Sequence, residues 1–314
     1  MTTDQLEKDP KQLASPTRRE PTRNWHATNV AVISAVHVAA LLAFVPYFFS
    51  WSGVALAVIG IYVFGTLGVN LGFHRLLTHR GFECPRWLEY VLATLGVCSL
   101  EETPAYWVAV HRVHHQHSDT KEDPHSPLSS FWWGHFGWLL KQEVGPSRVA
   151  MLDRYAKDVL RDRYYLRLER VSQWLLVLVL HWLLIFAAGL VAGLSWTGSV
   201  SGGWQLASSW LIWGAFVRTV LVWHITWSVN SVAHVWGYQN YDTGDGSRNN
   251  ILIGLLSNGE GWHNNHHAEP RAAAHGHKWW ELDVTFATLR GLALAGLAWN
   301  VVLPRQNQPP APPR

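Results

Sequence analysis

Residues 24–74 read NWHATNVAVISAVHVAALLAFVPYFFSWSGVALAVIGIYVFGTLGVNLGFH, and residues 171–217 read VSQWLLVLVLHWLLIFAAGLVAGLSWTGSVSGGWQLASSWLIWGAFV. Neither stretch holds an Asp, Glu, Lys or Arg, and each exceeds twice the ~20 apolar residues that cross a bilayer as a helix. Each therefore predicts two spans and a turn. The first pair climbs from about Thr28, turns near Ser50 to Gly53 and descends from Val54 to Phe73. The second climbs from Val171, turns through Gly193 to Gly203 and descends from Trp204 toward His234. A soluble core is the competing explanation, but it would need helices enclosed by protein on every side, which a chain of 314 residues rarely supplies.

Composition agrees with a lipid environment. The chain is 48% hydrophobic and only 15% charged, where a soluble chain carries about 25% charge. Its 20 tryptophans suit the two membrane interfaces, where an indole finds an apolar and a wet side together. The net charge of +3 comes from basic residues spread over loops and tails, with no compact basic motif interleaved with stacking aromatics, so no nucleic-acid partner is expected. Cys84 and Cys98 are the only cysteines, too few for a self-contained iron–sulfur cluster.

Neither predicted outer turn contains Lys or Arg; all of them lie in the tails and in segments 75–170 and 218–314. The positive-inside rule puts those segments, and both termini, on the cytoplasmic side. The fold expected is an all-α membrane protein: four transmembrane helices in two hairpins, at about 28–73 and 171–230, with a cytoplasmic helical cap formed by 74–170 and 231–303. Residues 1–23 read as a disordered tail and 304–314 as a Pro-rich tail. Leu88 to Leu100 and Gly291 to Leu303 are apolar but too short to cross. Thr103 and Pro104 form an N-cap and first-position pair, so a helix should run from there through His115. At 1.5 Å per residue the last descending helix outruns the ~30 Å hydrocarbon core, leaving Arg218 to snorkel near the inner interface.

Three histidine clusters border these blocks: HRLLTH at 74–79, HRVHH at 111–115 and HNNHH at 263–267. His111, His114 and His115 stand at i, i+3 and i+4, one helix face, and His263, His266 and His267 repeat the spacing. His74 and His79 lie about 140° apart on an ideal helix and should straddle a helix end. Neutral imidazoles packed together leave lone pairs to satisfy, and protonating them together is opposed by like-charge repulsion, so a bound cation is the physical solution. More imidazoles than one tetrahedral site accepts imply two metals. Fe, Zn, Cu and Ni all suit the ligand type. Asn230 and His234 share a face at i and i+4. The remaining nine histidines, His125, His135, His224 and His275 among them, read as isolated polar residues.

These boxes, with YWVAVHRVHHQHSDTKEDPHSP, WSVNSVAHVWG and GEGWHNNHHAEP around them, resemble the membrane fatty acid desaturases, particularly the Δ9 acyl desaturases. The resemblance runs from the first box to Asp283 and makes 24–303 a desaturase domain. It implies a non-haem di-iron centre that uses O2 as co-substrate and two external electrons to place a cis double bond, at Δ9, in a saturated acyl chain. It implies iron ligands drawn from His74, His79, His111, His114, His115, His234, His263, His266 and His267, with Asn230 holding a water near one metal. Asp119 and Asp123 would orient imidazole N–H groups, or serve as loop caps; Glu260 could orient a ligand or sit at a helix start. Trp223 and Trp227 would line an acyl tunnel or pack as core. The substrate is an acyl-CoA or an acyl-lipid. Without a fused module of the cytochrome b5 type, an external ferredoxin or cytochrome is implied as donor. The placement expected is an integral protein of a bacterial inner membrane with its site on the cytoplasmic face.

Three other functions compete. A hydroxylase would use the same histidine scaffold. A metal transporter would place its ligands within the spans, and a zinc hydrolase would use fewer ligands and an HExxH base.

Overall fold

Several helices begin at a Ser, Thr, Asp or Asn whose side chain accepts from an exposed backbone amide. The computed structural model describes residues 24–142 and 147–305, so the tail expected at 1–23, and all but the first two residues of the tail expected at 304–314, lie outside the described residues. Helix α1 spans Ala27–Leu41 and ends in a 3-10 turn, Leu42–Phe44. Ser50 caps α2 (Trp51–Gly60), its Oγ accepting from the Gly53 amide at 2.9 Å. Without a break, α2 continues as a π-helix over Ile61–Thr78.

Next come α3 (Arg86–Val97), α4 (Pro104–His117), and the short α5 (Arg148–Tyr155), α6 (Lys157–Leu160) and α7 (Arg163–Leu168). Thr103 caps α4 with its hydroxyl and Pro104 takes the first position, as the sequence predicts. Then α8 covers Val171–Thr197 and α9 Val200–Val235, with a π-wound segment at Ile212–Val217. Last are α10 (Ile251–Leu256), α11 (His263–Ala268) and α12 (Val284–Leu294). The only strands among the described residues are two-residue partners, Asn24–Trp25 and Lys141–Gln142.

Among the described residues, four helices are long and apolar enough to cross a membrane: Ala27–Phe44, Trp51–Thr78, Val171–Thr197 and Val200–Val235. The second turn is tighter than the Gly193 to Gly203 stretch expected. Helix α8 runs on to Thr197, Gly198 alone takes a left-handed conformation, and Ser199 caps α9. Helix α9 is the hub, packing against α1, α2 and α8. Below it, α3 packs along the π-wound half of α2, burying Phe73, Leu77, Ala93 and Val97 with Ala105, Val108 and Ala109 of α4. That contact brings the ends of α2 and α4 together.

Arg218 departs from the snorkelling expected of it. Its side chain is fully buried, donating to the Gly214 and Cys98 carbonyls at 3.1 and 2.8 Å, contacting His181 at 2.7 Å and lying over the Phe64 ring. The Gly214 carbonyl one turn back on α9 and the Cys98 carbonyl just past the end of α3 give it partners within the protein.

Candidate metal centre

Four helix ends converge beneath the long helices. Helix α4 presents His111 and His115 to one group and His114 to another, because i and i+4 lie close while i+3 falls to the side. Helix α11 divides the same way, with His266 in the first group and His263 and His267 in the second. The end of α2 adds His74 and His79 to the first, and the end of α9 adds His234 to the second. One ligand atom from each of His74, His79, His111, His115 and His266 lies within 4.8 Å of the others, and the same holds for His114, His234, His263 and His267. All nine histidines named from the sequence are therefore brought together, in two nests that touch where the His115 and His267 rings come within 4.5 Å.

His74 and His79 straddle the helix end as expected, the helix stopping at Thr78, and their rings still meet at 4.8 Å between centroids. The π winding is the reason. The His79 amide donates to the His74 carbonyl at 3.1 Å, so five residues make one turn and the pair shares a side.

Carboxylates fix the ring orientations. Asp123 faces Nδ1 of His114 at 3.0 Å, Asp119 faces Nδ1 of His234 at 3.0 Å, and Asp245 faces Nδ1 of His267 at 2.7 Å. Glu260 faces Nδ1 of His74 at 2.6 Å. An ionised carboxylate only accepts, so each of these neutral rings carries its proton on Nδ1 and turns an Nε2 lone pair inward. Yet Nε2 of His267 lies 3.3 Å from that of His114 and 3.0 Å from that of His263, and His263 Nε2 lies 3.0 Å from His234 Nε2. Converging lone pairs at hydrogen-bond distance with too few protons to share are the arrangement that a cation relieves. The residues present fit a metal in each nest.

Local backbone chemistry places these carboxylates. Asp119 follows the end of α4 with φ of 58°, a conformation Asp tolerates better than most residues, and the reversal lets its side chain reach α9. Gly259, at φ of 123°, precedes Glu260; a Cβ there would sit 2.4 Å from Asp283 Oδ1. Only glycine allows Asp283 and Arg75 to close on Glu260. Arg75 donates to Glu260 at 2.8 and 3.0 Å and to Asp283 at 2.9 Å. Burial alone would raise the Glu260 carboxyl; Arg75, with His275 and His74, outweighs it and holds the group well below the usual carboxylate range. Burial, then neighbouring imidazoles, drives His79, His111, His114, His115, His263 and His266 well below the usual histidine value. These rings are neutral, the form that binds metal.

Sequence reasoning missed three participants. His125, read as isolated, lies with its ring centroid 4.3 Å from that of His114 and shares Asp123 with it. His275, also read as isolated, lies 3.1 Å from Glu260 and 4.4 Å from the His266 ring. Asp245 drew no attention because the TGDG loop around it has no periodicity; a polar loop after a histidine-bearing helix was the available signal.

A cavity of about 1070 Å³ opens beside the nests, at the top of the ~300–1,000 Å³ range of ligand pockets. His74, His111 and His263 line it with Asn230, and Trp223 and Trp227 are in its wall. Trp107, also in the wall, stacks on His111 with ring centroids 5.0 Å apart. Glu101 lines it too, its carboxyl pushed up to about 7 by burial.

Helices suited to a membrane, joined to a buried polyhistidine centre and an adjoining apolar cavity, define a class of membrane metalloprotein. Residues 49–302 match the fatty acid desaturase family, and the chain belongs to it. It is 42% identical over 292 residues to the sn-1 stearoyl-lipid 9-desaturase of Anabaena variabilis, covering 93% of this chain and 98% of the relative. It is 40% identical over 280 residues to the enzyme of the same name from Synechocystis sp., covering 89% and 81%. It is also 40% identical over 283 residues to the sn-2 palmitoyl-lipid 9-desaturase of a Nostoc species, covering 90% and 91%.

Proposed function

We propose that this fatty acid desaturase places a cis double bond at Δ9 of a saturated acyl chain carried on a lipid. The observation that carries the reading is the pair of histidine nests bordering a largely apolar cavity. The relatives are named for lipid-linked stearoyl and palmitoyl substrates and for position 9, which favours an acyl-lipid over an acyl-CoA here.

In this reading His74, His79, His111, His115 and His266 hold one iron, and His114, His234, His263 and His267 hold the other. Two irons so held would supply the O2-dependent oxidation of an unactivated CH2–CH2 pair. The protein's share is positioning and exclusion of water. Asp119, Asp123, Asp245 and Glu260 keep the protons of their histidines on Nδ1 and aim Nε2 inward. Asn230, one turn before His234 on α9 and facing the cavity, would hold a water. Trp107, Trp223 and Trp227 make the cavity wall that the acyl chain follows. An external ferredoxin or cytochrome supplies electrons.

The two-hairpin arrangement in a bacterial inner membrane, with cap 74–170 and 231–303 and both termini in the cytoplasm, belongs to the same proposal; the distribution of Lys and Arg supports it. Expression in a host with saturated lipids, with double-bond location by mass spectrometry and iron assay of the purified protein, is the test. The wild type should yield Δ9 products and bind two irons; hydroxylated lipids without alkenes would point to the hydroxylase. His266→Ala with full activity would refute the assignment.

A further inference from the structure

The two nests are backed by unequal charge. Behind the four-histidine nest stand Asp119, Asp123 and Asp245, each on an Nδ1 at 2.7–3.0 Å. Among the described residues, none of the three pairs with a Lys or Arg. Their other partners are neutral: Asp119 accepts from the Gly246 amide at 2.6 Å, Asp123 from the Asp119 amide at 2.9 Å, and Asp245 from Thr243 Oγ1 at 2.7 Å. These bonds fix the oxygens without cancelling charge. Behind the five-histidine nest the carboxylate on His74 is Glu260, and Arg75 donates to it at 2.8 and 3.0 Å while also pairing with Asp283 at 2.9 Å. One nest thus faces three carboxylates with no Lys or Arg partner, while the other faces two carboxylates that share one arginine.

Resting on the two-metal reading above, we propose that the four-histidine nest is the tight metal position and the five-histidine nest the labile one. Asp245, with Asp119 and Asp123, is the positioning residue that makes the difference. An outer partner of a metal-binding histidine is worth about 10–100-fold in affinity, so the two positions should differ by at least about 100-fold. The fifth imidazole of the labile nest does not reverse this, because it adds no charge; each nest also holds a ring with an unpartnered Nδ1, His266 in one and His263 in the other.

The experiment is a cobalt(II) titration of the metal-stripped full-length protein, followed by visible absorption and checked by iron(II) content after gel filtration. The wild type should fill in two steps of one equivalent, the first at least about 100-fold tighter. His79→Ala should remove the weak step and keep the tight one, and His234→Ala should do the reverse. Asp245→Asn should loosen the tight step by about 10–100-fold and leave the weak one unchanged. Two equivalents bound with equal affinity, or a tight step that survives His234→Ala and disappears in His79→Ala, would overturn the inference while leaving two metals in place. Fewer than two equivalents in the wild type would sink the two-metal reading itself, and the inference with it. Should His234→Ala not fold, His79→Ala and Asp245→Asn together decide the same point.

Discussion

Gly68→Ala should disable the enzyme from outside the metal site. Gly68 lies where the π-wound half of α2 crosses α3, and a methyl there would sit 2.4 Å from Gly96 N and 2.6 Å from Leu95 C. That is about 1 Å inside the ~3.5–4.0 Å at which nonbonded heavy atoms rest. Both obstacles are main chain, so no rotamer change relieves the overlap and the helices must separate. Overpacking of this kind costs about 1–3 kcal/mol, a fall in melting temperature of roughly 2–12 °C for a large domain. Function should suffer more than stability. His74 lies six residues further along the same helix, and its bond to Glu260 ties the nest to α2; a ~1 Å misplacement can cost about 100-fold in rate. The assay is intrinsic tryptophan fluorescence melting of the purified protein, with iron content and lipid unsaturation measured in parallel. Gly291→Ala is the control, since a Cβ there meets nothing within 4 Å; it should be neutral or gain about 0.5–1 kcal/mol from helix propensity. Wild-type melting and iron content in Gly68→Ala, or an equal loss in Gly291→Ala, would refute the reasoning.

Glu260→Gln removes a buried charge that Arg75 needs, and breaking one partner from such a pair costs about 3–5 kcal/mol. The variant should melt lower and retain iron about 10–100-fold less tightly, as metal analysis after dialysis would read; unchanged retention would contradict the bridging role. Acid should destabilise the metal-stripped protein. The buried rings of His111, His114, His115, His263 and His266 sit well below their ordinary value, so below about pH 6.5 the unfolded chain binds protons the folded chain refuses. Stability is then full above about pH 6.5 and falls by up to about 1.4 kcal/mol per pH unit for each such ring below it; melting curves flat between pH 7.5 and 5.5 would contradict this. Asp283→Ala should lower the melting temperature, because Asp283 both pairs with Arg75 and caps α12 through the Phe286 amide at 2.8 Å. Loss of such a cap costs about 0.5–2 kcal/mol, and a wild-type melting temperature would argue against both contacts.

Charge and spacing are one-dimensional quantities, and whatever depends on them alone is readable along the chain. The uncharged blocks 24–74 and 171–217 announce long apolar helices, Thr103 with Pro104 announces α4, and the two triplets at i, i+3 and i+4 announce a metal-binding face, because helix geometry converts spacing directly into direction. Asp119 and Asp123 were legible through the family pattern. What packing decides is different in kind. Whether α2 closes i→i−4 or i→i−5 bonds depends on its crossing with α3, so His74 and His79 could not be seen to share a side. Arg218 becomes buried because neighbouring helices offer carbonyls, and His125, His275 and Asp245 become partners of the centre because chain reversals far apart in sequence bring them there. Local spacing names which imidazoles can bind; long-range contact sets which nest each joins, and what charge stands behind it.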